Sequence, residues 1–415
     1  MLPWLICCLG AFYFGYVYFL RVAPSVMIDQ LMRDFAVNAA MLGNLAAAYY
    51  YIYAAMQIPF GIAVDNLGPR RVLIGAVLVC AAGATLFAAA DTLALAFAGR
   101  LLIGAGAAAA WVGTMRLATI WLPPDRFAFM VGLTNLIAML GGAAGQGPLA
   151  LVIDAVGWRA ASYAAAAVGF AIAFAFWATR WLSPTPAAAA ATTGGRPRVG
   201  VLPVLKLALG RRAAWAMGAY GATAAGPTLA IAVLWGVPFV MQAYGLGRPA
   251  AGAFASTILI GWGVVGPAAG WLSDRLGRRK PLLYAGPLVG LVAWPVLIYV
   301  PDLPVPLLYL LAFIAGGSLS GFLVGFAVAK EFTPTAATGT ITSLLNASVM
   351  ISIAILQVVI GTILDLNWTG EIADGVRLYD AETYRLGFTA IPLLLLTGLI
   401  AVRFIPETHC RQIAD

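Results

Sequence analysis

Three arginines, Arg21, Arg100 and Arg116, stand inside long apolar stretches of this chain. A guanidinium held in low dielectric is costly, and by default it marks a functional site. Its planar fork of donors matches the oxygens of a carboxylate or phosphate. The chain has 16 acidic residues, and all of them fall in connections or at the ends of apolar runs. The one histidine, His409, lies near the end of the sequence. The apolar interior therefore holds cations without matching anions, and the simplest counterion is an anionic solute. Asp29 and Glu331 are the remaining candidates for proton coupling. Arg21 has two readings at this level. It anchors the solute, or it snorkels to the outer interface from the end of its run. Arg116 lines the inner half of a path or pairs with Asp65 or Asp125.

Hydroxyls and amides form a second layer. Four tyrosines, Tyr49, Tyr50, Tyr51 and Tyr53, fall within five residues, and they cannot all face lipid. Tyr49 and Tyr53 share a helical face, which Gln57 continues. Tyr13 and Tyr16 of the first run join them as candidates for orienting a polar solute. The alternative is interfacial belting, which places tyrosine near helix ends. Asn346 is a weaker candidate, together with Trp111, Asn135, Trp235, Trp262 and Gln357.

The elements that must position these groups are helices in a membrane. The chain has 415 residues, of which 62% are hydrophobic and only 10% charged, and its mean hydropathy is +0.94. A soluble domain carries about 25% charged residues. Twelve runs are long enough to span a bilayer, which takes roughly 20 apolar residues: about 4–28, 39–63, 72–90, 93–121, 127–153, 160–182, 213–243, 249–272, 281–300, 304–329, 337–364 and 386–405. They lack the period-two alternation of a β-barrel strand. The first run is read as a retained span, not a cleaved signal. Four cysteines make no disulfide framework. With both termini in the cytoplasm, sixteen Lys and Arg fall in inner segments and five in outer ones. The positive-inside rule thus accounts for the net charge of +8, with no nucleic-acid partner required.

The chain is written twice. Residues 61–71 read GIAVDNLGPRR and residues 270–280 read GWLSDRLGRRK. Gly61, Asp65, Gly68, Arg70 and Arg71 answer to Gly270, Asp274, Gly277, Arg279 and Lys280, with Arg278 beside them. Pro124, Asn135 and Asp154 have counterparts in Pro334, Asn346 and Asp365. The expected organisation is a six-helix bundle over 1–182, a Pro-, Gly- and Ala-rich cytoplasmic linker over 183–206, and a second bundle over 207–415.

The paired hairpins, at this spacing, resemble the Major Facilitator Superfamily over essentially the whole length. Gly99–Arg100 through Gly104 and Gly106 resembles a second signature, and Gly157-Trp158-Arg159 a third. The resemblance implies an all-α membrane protein of twelve transmembrane helices in two pseudo-symmetric six-helix bundles, working as a monomer by alternating access. It implies that the hairpins form a conformational latch, the alternative being a topological anchor. It implies that Arg100 is structural, buried between helices of its own half. The first run is similar to that of the organic-anion, organophosphate and sugar-acid carriers, where an arginine followed four residues later by serine meets the substrate. Arg21 and Ser25 have that spacing. Sugar-acid carriers often place an acid just after Gly-x-Gly of the fourth helix, whereas this chain has Ala107, which argues against proton symport. Gly141-Gly142-Ala-Ala-Gly145-Gln146-Gly147-Pro148 partly resembles the antiporter motif G-x-x-x-G-P, with Ala143 at the first glycine position, and reads as a hinge or packing seam.

No phosphate-binding loop, metal-ligand cluster or catalytic triad is present in the sequence, so neither an enzyme nor a cofactor is expected. The reading is a multi-pass carrier in the inner membrane of a bacterium, moving a small anionic solute as uniporter or exchanger. The alternatives are a proton-coupled exporter of amphiphilic drugs, a carrier of amino acids or short peptides, and a non-transporting sensor.

Overall fold

The computed structural model describes residues 2–179, 210, 212–318, 320–333, 338–373 and 375–413. The expected linker over 183–206 lies outside them. Lipid offers the backbone no hydrogen bonds, so each apolar run closes its own as a helix. Among the described residues ten stretches are long and apolar enough to cross a membrane, one of them 50 residues long (129–178) and holding two runs. Ala39–Leu67 is a further apolar helix of 29 residues.

The chain divides into two compact units, one of Met1–Val37 with Leu45–Arg198, the other of Asn38–Asn44 with Val199–Asp415. In the first, α1 (Leu2–Val22) passes into a 3-10 turn at Ala23–Val26 and the short α2 (Ile28–Phe35). Then follow α3 (Ala39–Leu67), which belongs to this unit from Leu45 on, α4 (Pro69–Ala88), α5 (Leu93–Trp121), α6 (Pro124–Ala144) and α7 (Gly147–Ala178).

Small residues set the crossings. A Cβ on Gly104 of α5 would fall 2.3 Å from the Tyr49 carbonyl, and one on Gly106 would fall 2.3 Å from that of Ala76. A Cβ on Gly141 of α6 would fall 2.1 Å from the Gly15 carbonyl of α1. These backbones approach as small-residue seams do in membranes.

Two expected boundaries move. The run 127–153 is two helices, because α6 stops at Ala144 and α7 starts at Gly147 with Pro148 in its first turn. Proline has no N–H to continue the preceding ladder. The helix then continues to Ala178 through one non-helical residue, Gly157, at φ +81°. Gly147 and Pro148 thus mark a helix start, and Gly141 and Gly145 supply the seam against α1.

The second unit opens with an almost wholly buried span, 212–244. It is built of α8 (Arg212–Tyr220), α9 (Gly226–Ala230) and α10 (Gly236–Tyr244), joined by π turns at Gly221–Ala225 and Ile231–Trp235. Each π turn ends just before a glycine, with Pro227 one residue after the first and Pro238 two residues after the second. A proline ring clashes with the carbonyl four residues back, and a widened turn makes room for it. Next come α11 (Arg248–Leu276), α12 (Lys280–Tyr299), α13 (Val305–Gly317), α14 (Ser320–Glu331), α15 (Thr338–Leu366), α16 (Ala381–Gly387) and α17 (Ala390–Phe404). The run 304–329 is therefore interrupted after Gly317. The connection from α15 to α16 carries a two-stranded hairpin, β1 (Ile372–Ala373) against β2 (Val376–Arg377), which the sequence did not signal.

Candidate functional site

Arg21 sits in the last turn of α1 and is 5% exposed. It does not snorkel. Its Nε donates to Tyr49 Oη at 3.3 Å. Its guanidinium carbon lies 4.3 Å from the ring centre of Tyr18, 5.4 Å from those of Tyr49 and Tyr53, and 5.9 Å from that of Tyr50. Tyr49 and Tyr53 stack at 5.7 Å, one turn apart on α3, while Tyr50 meets Tyr49 edge-on at 5.0 Å. Tyr51, on the opposite face, is 46% exposed and fits the lipid-facing role. Four aromatic faces thus enclose one guanidinium.

Helix geometry explains the membership. At about 100° per residue, Tyr18 lies some 60° around α1 from Arg21, whereas Tyr16 lies some 140° away. Tyr16 accordingly faces the other side, where its hydroxyl would meet a Cβ on Gly169 of α7 at 2.5 Å. Tyr13 donates to the Gly106 carbonyl at 2.9 Å and is a packing residue. Tyr18 and Tyr50 were not singled out by sequence reading, although the three-residue spacing of Tyr18 from Arg21 carries the signal.

Arg100 is buried beside this cluster and serves it differently. Its Nη1 donates to the Leu20 carbonyl at 2.9 Å and its Nη2 to the Ala46 carbonyl at 3.3 Å. It clamps the end of α1 to α3, with its guanidinium 5.3 Å from the Tyr49 ring. Ser25, in the 3-10 turn after α1, is 1% exposed, and its Oγ has no hydrogen-bond partner; neither has the buried Tyr50 Oη. Buried polar atoms are nearly always paired, so such orphans call for an explanation. Gln57, Arg116 and Asn346 are half-buried.

Charge decides what this cluster does. Among the described residues no aspartate or glutamate is buried, while Arg21 and Arg100 are. Cation–π contacts contribute about 0.5–2 kcal/mol each. Desolvating an ion costs several kcal/mol, which two carbonyls and one hydroxyl offset only in part. Arg100 spends two donors on carbonyls of the backbone, whereas Arg21 donates to the Tyr49 phenol and is otherwise lined by tyrosine rings.

The second hairpin is also resolved. Gly277 turns the chain at φ +62°. Arg279, 6% exposed, donates to Glu331 at 2.5 Å and 3.2 Å, to Asp274 at 2.6 Å and to Ser273 at 3.1 Å. Burial opposes its charge, but the carboxylates of Glu331 and Asp274 outweigh it and hold its pKa above the usual arginine value. Glu331 is thus engaged in an ion pair. Glu407, beyond α17, accepts from the backbone N–H of Arg279 at 2.8 Å and of Lys280 at 2.9 Å, capping α12. Arg278 beside it is exposed, and Gly270 is half-buried. In the first hairpin Gly68 turns the chain at φ +85°, and Arg70 lies 5.5 Å from the Trp121 ring. Gly61 is half-buried and Arg71 exposed; the Asp65 side chain lies outside the described residues.

The third signature ties α7 to α2. Trp158 donates its backbone N–H to Gln30 at 3.1 Å and its Nε1–H to Asp34 at 2.9 Å, and Arg159 pairs with Asp34.

Residues 6–357 match the family model of the Major Facilitator Superfamily. The chain belongs to that superfamily. Its relatives include the probable sulfoacetate transporter SauU of Cupriavidus necator, 32% identical over 158 residues, or 38% of this chain and 37% of that protein. The uncharacterized transporter YybO of Bacillus subtilis is 23% identical over 409 residues, 94% of this chain and 90% of that one. The hexuronate transporter of Bacillus subtilis is 26% identical over 39% of this chain and 37% of that protein. Two of these three matches thus span little more than a third of the relative's length. Among solved structures, a bacterial homolog of the human lysosomal transporter Spinster superposes with a TM-score of 0.80 at 15% identity, covering 97% of this chain and 98% of that one. The nucleoside transporter NupG superposes at 0.74 and 16% identity, covering 97% and 100%. The twelve-helix fold of this superfamily, expected from the duplicated hairpins, is the fold of this chain.

Proposed function

We propose that this chain is a secondary transporter of the bacterial cytoplasmic membrane, with both ends inside, that carries a small organic anion by alternating access as a monomer. One observation carries the solute's charge: the Arg21 guanidinium is buried in a tyrosine cage, with no buried carboxylate among the described residues. Two named relatives, transporters of sulfoacetate and hexuronate, carry solutes with an acidic group, which supports the same class. Ser25 and the hydroxyls of Tyr49, Tyr50 and Tyr53 orient the solute. Gln57, Arg116 and Asn346 are further candidates for contact with the solute, and Tyr16 packs α1 against α7.

The chemistry is differential solvation. A carboxylate or sulfonate on Arg21 neutralises the buried charge, so the loaded site is cheaper to close off from water than the bare one. A solute drives a conformational equilibrium only by that difference in affinity between states. The hairpins at 61–71 and 270–280 hold the ends of the bundles as a latch while the site changes sides. With no buried acid among the described residues, the cycle uses uniport or exchange, not a dedicated proton relay.

The test is a thermal-shift screen of the purified protein against sugar acids, short sulfonates, phosphate esters, amino acids, peptides and lipophilic cations. A ligand at one hundred times its Kd stabilises the folded state by about 2.7 kcal/mol. The expected result is a rise in melting temperature with carboxylates or sulfonates that disappears in Arg21→Gln. Stabilisation by lipophilic cations, unchanged in that variant, would overturn the reading.

A further inference from the structure

Arg21 keeps its charge after an anion departs, and what then faces it comes from the chain alone. Those groups are the Tyr49 hydroxyl and four ring faces at 4.3–5.9 Å. Among the described residues no acid is buried that could take the solute's place. In many carriers the bare site cannot close, and the protein then only exchanges one solute for another. The barrier to closing depends on how much of the lost counter-charge the protein replaces. An aromatic face offers the negative end of its quadrupole to a cation, and the attraction grows as water leaves.

We propose that the tyrosine cage is a built-in counter-charge that lets the unloaded carrier reorient, making this protein a uniporter and not an obligatory exchanger. The proposal rests on Arg21 as the anion's anchor. Tyr18 is the key member. Its contact is the shortest of the four, and it sits one turn before Arg21 on the same helix, so it moves with the charge it screens. Tyr49, Tyr50 and Tyr53 come from α3, which Arg100 ties to α1 through the Leu20 and Ala46 carbonyls. The cage is therefore braced across both helices. The energy of one ring–cation contact corresponds to about a 2- to 30-fold change in the rate of closing around the bare charge.

The experiment uses the full chain in liposomes with the voltage clamped by valinomycin and potassium. Radiolabelled D-glucuronate and sulfoacetate are the probes, tried in turn. Net uptake into vesicles without internal solute requires return of the bare site. Counterflow into vesicles preloaded with the unlabelled probe does not. Wild type is expected to perform both. Tyr18→Leu is expected to lose net uptake about 5- to 30-fold while counterflow falls no more than about threefold, and Tyr18→Phe to restore net uptake. Should Tyr18→Leu not fold, Tyr18→Met removes the ring at similar volume and takes its place. Counterflow without net uptake in wild type overturns the proposal and leaves the anion reading standing. Equal loss of both modes in the variant, or loss of neither, also overturns it. Absence of both modes with both probes, together with no anion-induced thermal shift, is the failure of the anion reading itself, and the proposal falls with it.

Discussion

Two arginines of one bundle meet different fates for reasons visible in their donors. Arg100 gives two hydrogen bonds to backbone carbonyls of α1 and α3 and is consumed as a clamp. Arg21 gives its Nε–H to a phenol and makes no bond to a backbone carbonyl among the described residues. Hydrogen bonds to charged groups contribute about 1.5–3 kcal/mol each. Arg100→Gln is therefore expected to lower the melting temperature of the solute-free protein clearly, whereas Arg21→Gln leaves that temperature nearly unchanged and removes the ligand-induced rise. Differential scanning fluorimetry with and without anion separates the two. Most of this cluster was legible in the sequence. A buried cation is conspicuous in an apolar run, and Tyr49 and Tyr53 announce a common face by spacing. The assignment of Tyr16 to that face was not supported, because only the direction in which α1 packs on α7 shows where it points. Tyr18 carried the same helical signal and was passed over.

At the scale of elements, the α1–α6 crossing and the α11–α12 hairpin make separate predictions. A Cβ on Gly141 has nowhere to go but into the Gly15 carbonyl, 2.1 Å away. Overpacking of this kind costs typically 1–3 kcal/mol. Gly141→Ala should lower thermal stability by about that amount and, because α1 carries Arg21, slow transport as well; a melt and an exchange assay on one preparation check both.

The hairpin prediction concerns pH. Burial would raise the Glu407 carboxyl, but the N–H groups of Arg279, Lys280 and His409 outweigh it and hold its pKa below the usual glutamate value of 4.5. The sign follows from linkage. A carboxylate with a depressed folded-state pKa contributes stability that is complete above the unfolded value and is lost as pH falls through the folded one. The melting temperature should hold steady from pH 7 to about 5, then drop below about 4.5, with a shallower drop in Glu407→Gln. Of the proline-bearing breaks, Pro148 was readable as a hinge, whereas those at Pro227 and Pro238 fall inside a run that reads as continuous. Their form, a fresh helix start in one case and π turns in the others, depends on how neighbouring helices accept the displaced carbonyls, which no single segment encodes.

For the whole molecule, duplication and charge distribution carried the fold. Hairpins repeated 209 residues apart, in a chain with so few charges, leave few architectures other than paired bundles in a bilayer. The short β-hairpin after α15 escaped notice because two-residue strands carry no periodic signal. The proposed solute is legible only as a charge. A guanidinium reports the sign of its partner, while the remainder of the molecule is read by neutral groups that also serve packing.

The account stands on Arg21 as the anchor of an organic anion. Stranding one member of a buried charge pair costs 3–5 kcal/mol, which is roughly a hundredfold or more in binding. The most direct measurement is equilibrium binding, by isothermal titration, of the best anion from the thermal screen to wild type and to Arg21→Gln, both judged folded by monodispersity. The account predicts an affinity weakened at least about a hundredfold in the variant. Binding of equal strength in the two proteins would contradict it.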